Sequence, residues 1–206
     1  MAKFTGPKGK LVRRFGVNIF GNPKYDRLLD RRSDGPGQHG ANRSRRKVSD
    51  YGQQLVEKQK LRNTYGLLEK PFRRIFHKAQ QMRGVTGENL LILLETRLDT
   101  VVFRAGFGST LMQARQLVNH GHIRVNDRRV DIASCRIKTG DVINIRDNEG
   151  SRSLASRYLM ESHRFAGTEW FSIDQPALTI TIKRVPQRDE IRVAANEQMI
   201  VELYSK

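Results

Sequence analysis

The chain has 206 residues, with 38 lysines and arginines against 21 aspartates and glutamates, for a formal charge of +17. That length holds one large domain or two small ones, and so much positive charge repels the compact chain from itself. A polyanion is the natural partner, nucleic acid above all, because dense phosphates release counterions when neutralised. A membrane surface would need a basic amphipathic helix with aromatics along one face, and none is found.

The single cysteine, Cys135, excludes an intramolecular disulfide and a thiolate metal cluster, and a reducing cytosol is the expected compartment. The first 20 residues are basic without an apolar stretch, so no secretory signal is expected. The longest aliphatic run, Leu90 to Leu94, falls far short of a membrane span. The charge is uneven. Residues 1–50 are net +9, 51–95 net +4, 96–150 net +3 and 151–206 net +1. The strongest polyanion contact is therefore expected near the N-terminus, and a structural role for the last quarter.

Residues 1–49 read as irregular, because their glycines and prolines leave no room for a long element. Leu11, Val12, Phe15, Val17, Ile19 and Phe20 suggest a small packed cluster, ordered mainly with its partner present. Asp50 opens a helix, with Gln53 completing a variant capping box, and Gly66 stops it. Its stripe of Tyr51, Leu55, Leu61 and Tyr65 is poor, and Lys58, Lys60 and Arg62 make it polar on several sides, as in a helix that bridges partners. Pro71 marks the next helix, with Phe72, Ile75, Phe76 and Ala79 on one face and Arg73, Arg74, His77 and Lys78 on the other. Thr86 caps a third helix, Thr96 with Asp99 a fourth, and Ser109 a fifth that ends at Gly121.

The period then changes from 3.6 to 2. Strands are expected at His122–Val125, Arg129–Ile132 and Val142–Arg146, with Asn126-Asp127 as a tight turn. Residues 148–153 read as a polar linker and Leu154 to about Phe165 as a helix. Strands follow at Trp170–Ile173 and Leu178–Lys183, then a short apolar ending at Ile200–Tyr204. The fold class is α+β.

Residues Arg97 to Asp147 form the most informative stretch: two short helices and a twisted hairpin, too small and too basic for a catalytic domain. Arg97 and Arg104 are seven apart on one helical face, and with Arg115, Arg124, Arg128 and Arg129 they suggest a line of guanidinium groups on phosphates. The bland alternative is a solvated face paired with Asp99, Asp127 and Asp131. Ser109 and Gln113 begin a helix, where free N–H groups also attract phosphate. Arg43, Arg45, Arg46 and Lys47 read as a flexible arm tracking a nucleic-acid backbone rather than a plain disordered tail. His39, beside Gln38 between glycines, stacks on a base or fills a turn. His120 and His122 would share a strand face, but no neighbouring acid or cysteine completes a metal ligand set. No phosphate loop, nucleophile elbow or histidine–carboxylate motif is present.

Several blocks, in order along the chain, resemble one family: Pro36-Gly37-Gln38-His39-Gly40, Ser49-Asp50-Tyr51-Gly52, Glu57-Lys58-Gln59-Lys60, Tyr65-Gly66, Thr86-Gly87-Glu88-Asn89, Arg97-Leu98-Asp99, Ala114-Arg115-Gln116-Leu117-Val118, Val125-Asn126, and the ending from Asn196-Glu197 through Val201-Glu202-Leu203-Tyr204-Ser205-Lys206. They are similar to the bacterial small-subunit ribosomal S-four family. The resemblance implies a helical N-terminal domain, residues 1–95 completed by about 184–206. It also implies an inserted domain at 96–183, with a helix-helix-β-hairpin RNA-binding module at about 97–147.

It further implies a cytoplasmic ribosomal component that binds 16S-type rRNA early, nucleates the subunit body, and contacts small-subunit protein five and other small-subunit proteins. The rRNA-binding set then includes Gln38, His39, Ser49, Tyr51, Lys58, Lys60, Arg62, Tyr65, Arg73 and Arg74, besides the module residues named above. Arg43, Arg45, Arg46 and Lys47 would also line the channel through which messenger RNA enters. Many members hold zinc on N-terminal cysteines. Here Gly9 and Val12 occupy the matching stretch, so neither zinc nor any other cofactor is expected. The competing readings are an RNA-modifying enzyme anchored by the same module and a stress factor acting on stalled subunits.

Overall fold

The computed structural model describes residues 4–41, 48–161 and 169–205. The chain divides into two compact units, Met1–Glu88 with Val193–Lys206, and Asn89–Arg192.

The first unit is helical. Against the expectation of irregular chain, residues 1–49 contain α1 (Lys8–Phe15) and α2 (Pro23–Arg31). Two-turn helices fit between the glycines, which end elements here rather than prevent them. Gly16, at φ +68°, closes α1 by donating to the Val12 carbonyl at 2.8 Å. Asn22 caps α2, and Pro23 takes its first position. Val12 and Ile19 are buried between them.

Helix α3 (Asp50–Thr64) is capped by Ser49, whose hydroxyl accepts from the Gly52 N–H at 3.3 Å. It ends in a Schellman turn: Gly66 (φ +58°) donates to Asn63 O and Leu67 to Arg62 O. Helix α4 (Glu69–Gln81) starts two residues earlier than Pro71 suggests. It buries Phe72, Phe76 and Ala79, spaced i, i+4, i+7, and exposes its charged face. The short apolar ending is part of a helix, α9 (Glu197–Tyr204), capped by Asn196 and packed along α3. Phe76 stacks on Tyr204 with ring centroids 4.3 Å apart.

Helix α5 (Thr86–Glu95) buries Leu90, Leu91, Leu93 and Leu94, nearly all round its axis. In the second unit α6 (Leu98–Arg104) and α7 (Leu111–Asn119) pack on a five-stranded antiparallel sheet. Its strands are β1 (Ile123–Val125), β2 (Arg128–Arg129), β3 (Val142–Ile145), β4 (Phe171–Asp174) and β5 (Thr179–Ile182), in the order β2-β1-β3-β5-β4. The expected hairpin module is thus extended, because β5 pairs with β3 and brings β4 with it. The β1–β2 turn has Asn126 and Asp127 both at positive φ, +50° and +62°, the type I′ geometry that matches strand twist.

Alternation gives one apolar sheet face, with Ile123, Ile143, Ile145, Ile180, Ile182 and Phe171 in the core. The other face carries the cross-strand row Arg129, Arg124, Asn144, Thr179. The expected linker at 148–153 instead opens α8 (Glu149–Glu161). Asn148 Oδ1 accepts from Gly150 N at 2.9 Å, so the polar cluster is a helix start and not a connection. Residues 162–165 of the expected helix lie outside the described residues.

Phe76 is fully buried against Tyr204. Phe76→Ala is expected to destabilise the first unit by about 3–5 kcal/mol in denaturant unfolding. A loss below about 1 kcal/mol would contradict this packing.

Candidate nucleic-acid interface

The module's arginines divide into two kinds. Asp99 is completely buried and accepts from Arg97 Nε at 3.0 Å and Nη2 at 2.9 Å. It also accepts from Arg115 Nε at 2.8 Å, with Arg115 Nη2 at 2.7 Å, and from the Thr100 N–H at 3.0 Å. The two arginine side chains are only 5 % and 6 % exposed, so neither can reach a phosphate. This corrects the expectation that Arg97 and Arg115 bind RNA. Both pair with one carboxylate lying inside the first turn of α6.

Asp99 therefore does not cap α6. The backbone there is fixed instead by Leu98 and Asp99 N–H groups donating to Cys135 and Ala133 carbonyls. Arg104 departs from expectation in a similar way. It forks onto Glu95 at 3.0 and 2.6 Å, and Glu95 is nearly buried, so this guanidinium ties the end of α6 to α5.

The cap of α7 is Thr110, not Ser109. Ser109 Oγ donates to Gln113 Oε1, and Gln113 Nε2 reaches Tyr158 OH of α8 at 3.4 Å. The pair braces two helices and does not present an open anion site. The second kind of arginine sits on the hairpin. Arg128 and Arg129 are exposed on the edge strand, and Arg124 is half-buried beside Arg129. A Cβ at Gly121, which has φ +72°, would collide with the Arg129 guanidinium, so this glycine both ends α7 and makes room for that side chain.

His120 and His122 do not share a strand face. His120 closes α7, the rings are tilted with centroids 6.1 Å apart, and His122 Nδ1 pairs with Ser151 Oγ at 2.9 Å. Burial, then the charges of His120 and Arg146, hold His122 below the usual histidine range. Among the described residues no group of three or more His, Cys, Asp or Glu side chains could hold a metal.

In the first unit, Lys58 Nζ donates to Glu69 Oε1 at 2.8 Å, Lys60 Nζ to Glu57 at 2.6 Å, and Arg62 Nε lies 4.0 Å from Glu69. Tyr65 is 2 % exposed and belongs to the core, which removes it from any surface set. Lys58 and Arg62 tie α3 to α4 and Lys60 braces α3 itself, whereas Arg73 and Arg74, with Lys70 and Lys78, are exposed along the outer face of α4. Tyr51 stands 59 % exposed beside the Ser49 cap.

Gln38 and His39 are exposed on a loop that Arg13 anchors by donating to the Asp34 and Gly35 carbonyls at 3.0 and 2.9 Å. Gly40 closes the loop, since a Cβ there would collide with the Gly35 carbonyl oxygen. Arg43, Arg45, Arg46 and Lys47 lie outside the described residues. The sequence offers pairing with Asp99 only as a solvated-face alternative, whereas the pair is buried, and the roles of Glu95 and Arg13 have no local sequence signal.

A basic helical unit with an exposed cationic helix, and a module with arginines on an edge hairpin, defines an RNA-binding protein. Residues 3–95 match the family described as ribosomal protein S4/S9 N-terminal domain, and residues 96–143 match the S4 domain. The small ribosomal subunit protein uS4 of Opitutus terrae is 50 % identical over 206 residues, covering all of both chains. The proteins of the same name from Akkermansia muciniphila, 48 % identical over all of both chains, and Borrelia recurrentis, 48 % identical over 97 % of this chain and 96 % of its own, are similar too. The chain belongs to the small ribosomal subunit protein uS4 family.

Two outcomes follow from this geometry. Asp99→Ala leaves two guanidinium groups buried without a counter-charge and is expected to destabilise the second unit by about 3–5 kcal/mol in denaturant unfolding. An effect below about 1 kcal/mol would contradict the role given to Asp99. For Glu69, partial burial pushes the carboxyl up, but hydrogen bonds from Lys58 and Tyr204 and the charges of Lys58 and Arg62 together hold it below the usual range. A lowered carboxyl contributes stability that is full above its unfolded value and lost as pH falls through its folded one. Acid titration of the first unit should therefore show a stability loss below the ordinary carboxylate range that is reduced in Glu69→Gln. Identical acid profiles for the two proteins would refute this.

Proposed function

We propose that this chain is a structural component of the small ribosomal subunit in the cytoplasm, not an enzyme. On this reading it binds 16S-type rRNA directly, nucleates assembly of the subunit body, contacts protein five, and contributes to translational accuracy. Arg43, Arg45, Arg46 and Lys47 line the channel through which messenger RNA enters. The contact set on the rRNA is narrower than the sequence suggested: Gln38, His39, Ser49, Tyr51, Arg73, Arg74, Arg124, Arg128 and Arg129.

The observation that carries the reading is the sorting of cations. Asp99 holds Arg97 and Arg115 inside the fold and Glu95 engages the half-buried Arg104, while Arg73, Arg74, Arg128 and Arg129 stay exposed. A chain with a formal charge of +17 that keeps such cations exposed is suited to neutralising a polyanion. Curated relatives that match end to end are named as small ribosomal subunit proteins, which supports this polyanion being ribosomal RNA. The phosphates position the protein, and the shape of the folded RNA selects the site, because A-form helices offer side chains little readable base edge.

Binding to naked small-subunit rRNA should weaken steeply with salt. With six to ten phosphates neutralised, the slope of log affinity against log salt is expected to be roughly −4 to −9, and Arg73→Gln with Arg74→Gln should flatten it by about 1–2. A slope near −1 would contradict the proposal.

A further inference from the structure

We propose that the Asp34–Gly35 peptide bond is a site of isoaspartate formation and that Arg13 directs the rearrangement. The chemistry needs only this chain and water, so it is independent of the RNA-binding role.

Asp34-Gly35 is the one place in the sequence where an aspartate or asparagine is followed by glycine. At every other such position the following residue's side chain screens its own nitrogen, whereas glycine, with no Cβ, leaves the nitrogen open to approach. The Asp34 side chain is exposed, and among the described residues no hydrogen bond or ion pair engages its carboxylate. The Gly35 N–H has no hydrogen-bond partner among them either. Asp34 Cγ and the Gly35 nitrogen are separated only by Cβ, Cα and the carbonyl carbon, so rotation of an unengaged side chain brings them together.

A peptide nitrogen is a weak nucleophile, because its lone pair is shared with its carbonyl. Here that carbonyl belongs to Asp34, and Arg13 Nε donates to its oxygen at 3.0 Å. Arg13 Nη2 donates to the next carbonyl, that of Gly35, at 2.9 Å, so one guanidinium spans both peptide groups. Gly40 closes the loop from the other side, since a Cβ there would collide with the Gly35 carbonyl oxygen. Negative charge that moves onto the Asp34 oxygen as the Gly35 proton leaves therefore develops beside a fixed cation, as in an oxyanion site.

The steps balance without an oxidant. The Gly35 nitrogen bonds to Asp34 Cγ and loses its proton, the protonated carboxyl loses hydroxide, and a succinimide closes with release of one water. Water then adds to the Asp34 main-chain carbonyl carbon, the bond from that carbon to the Gly35 nitrogen breaks, and the nitrogen regains a proton. The chain now runs through Asp34 Cβ and Cγ, and the former main-chain carbonyl is a free carboxylate. Opening at the other carbonyl returns aspartate. Arg13 favours isoaspartate, because it polarises the carbonyl that water must attack and then pairs with the carboxylate formed there. The product lengthens the main chain of the loop that presents Gln38 and His39. It is a substrate for carboxyl methyltransferases that use S-adenosylmethionine.

The test incubates the full chain in neutral buffer made with heavy-oxygen water, then digests it. Fragment mass spectrometry locates the label and separates isoaspartate from aspartate at residue 34, and methyl transfer by an isoaspartate methyltransferase counts the product. Isoaspartate should accumulate at Asp34 faster than at any other aspartate, and Gly35→Ala should suppress it. Arg13→Gln should slow labelling roughly tenfold, the weight of one charged hydrogen bond in the transition state. Arg13→Lys keeps a cation and should retain most of the rate. The unaltered chain unfolded in urea gives a reference that needs no variant, and the native chain should open to isoaspartate in the larger share. Labelling at Asp34 no faster than at other aspartates would overturn the site. Equal or faster labelling in Arg13→Gln, or an equal isoaspartate share in the native and unfolded chains, would overturn the directing role of Arg13.

Discussion

Asp99 is the charge around which the second unit is organised. One carboxylate with no exposed surface accepts from two guanidinium groups and a backbone N–H, and in doing so fixes the entry to α6 against α7. The same stretch of backbone is tied to residues 133–137 by hydrogen bonds from Leu98, Asp99 and Ile137. Burying three charges is expensive, and the arrangement holds because they satisfy one another. Removing only one member exposes the desolvation cost of the others. The outcome is a rigid α6–α7 pair packed on the sheet, which lets an otherwise weak two-residue strand, β2, carry its arginines at a defined edge.

The distribution of acids governs what the cations do. Glu95, Glu57, Glu69 and Glu190 are each engaged with a cation on another element or another turn: Arg104, Lys60, Lys58 and Arg184. These pairs join α5 to α6, brace α3, link α3 to α4, and secure the chain after β5. The exposed cations include those on the outer face of α4, on the β1–β2 hairpin and on the α1–α2 hairpin, elements anchored by the buried Phe76, Ile123 and Val12. Each patch is thus a rigid display, and ordering it costs little when a phosphate arrives.

Much of this was legible in the chain. The stripe of Phe72, Phe76 and Ala79 and the switch of period after Gly121 place α4 and the hairpin nearly correctly, and Asn126-Asp127 marks the tight turn, whose type the backbone angles supply. What was not legible is where charge is buried. Arg97 and Arg104 have the spacing of an exposed face, with Asp99 a partner there only on a solvated surface, and only the fold shows that the Asp99 pair is buried and that Glu95 takes Arg104. Tyr65 stood both in the apolar stripe of α3 and in the RNA-binding set, and burial decides for the stripe. The N-terminal helices were missed because glycine density was read as an absence of structure. There the glycines end and space two short helices, α1 and α2, rather than preventing them.

The central claim is that exposed, fold-positioned cations bind one folded region of small-subunit rRNA. Hydroxyl-radical footprinting of the full chain on naked small-subunit rRNA tests it most directly. The account predicts backbone protection confined to a single helical junction in the 5′ domain, lost together when Arg73, Arg74, Arg128 and Arg129 are replaced by glutamine. Protection scattered along the RNA without a focus, or a focused footprint that survives those replacements, would contradict it.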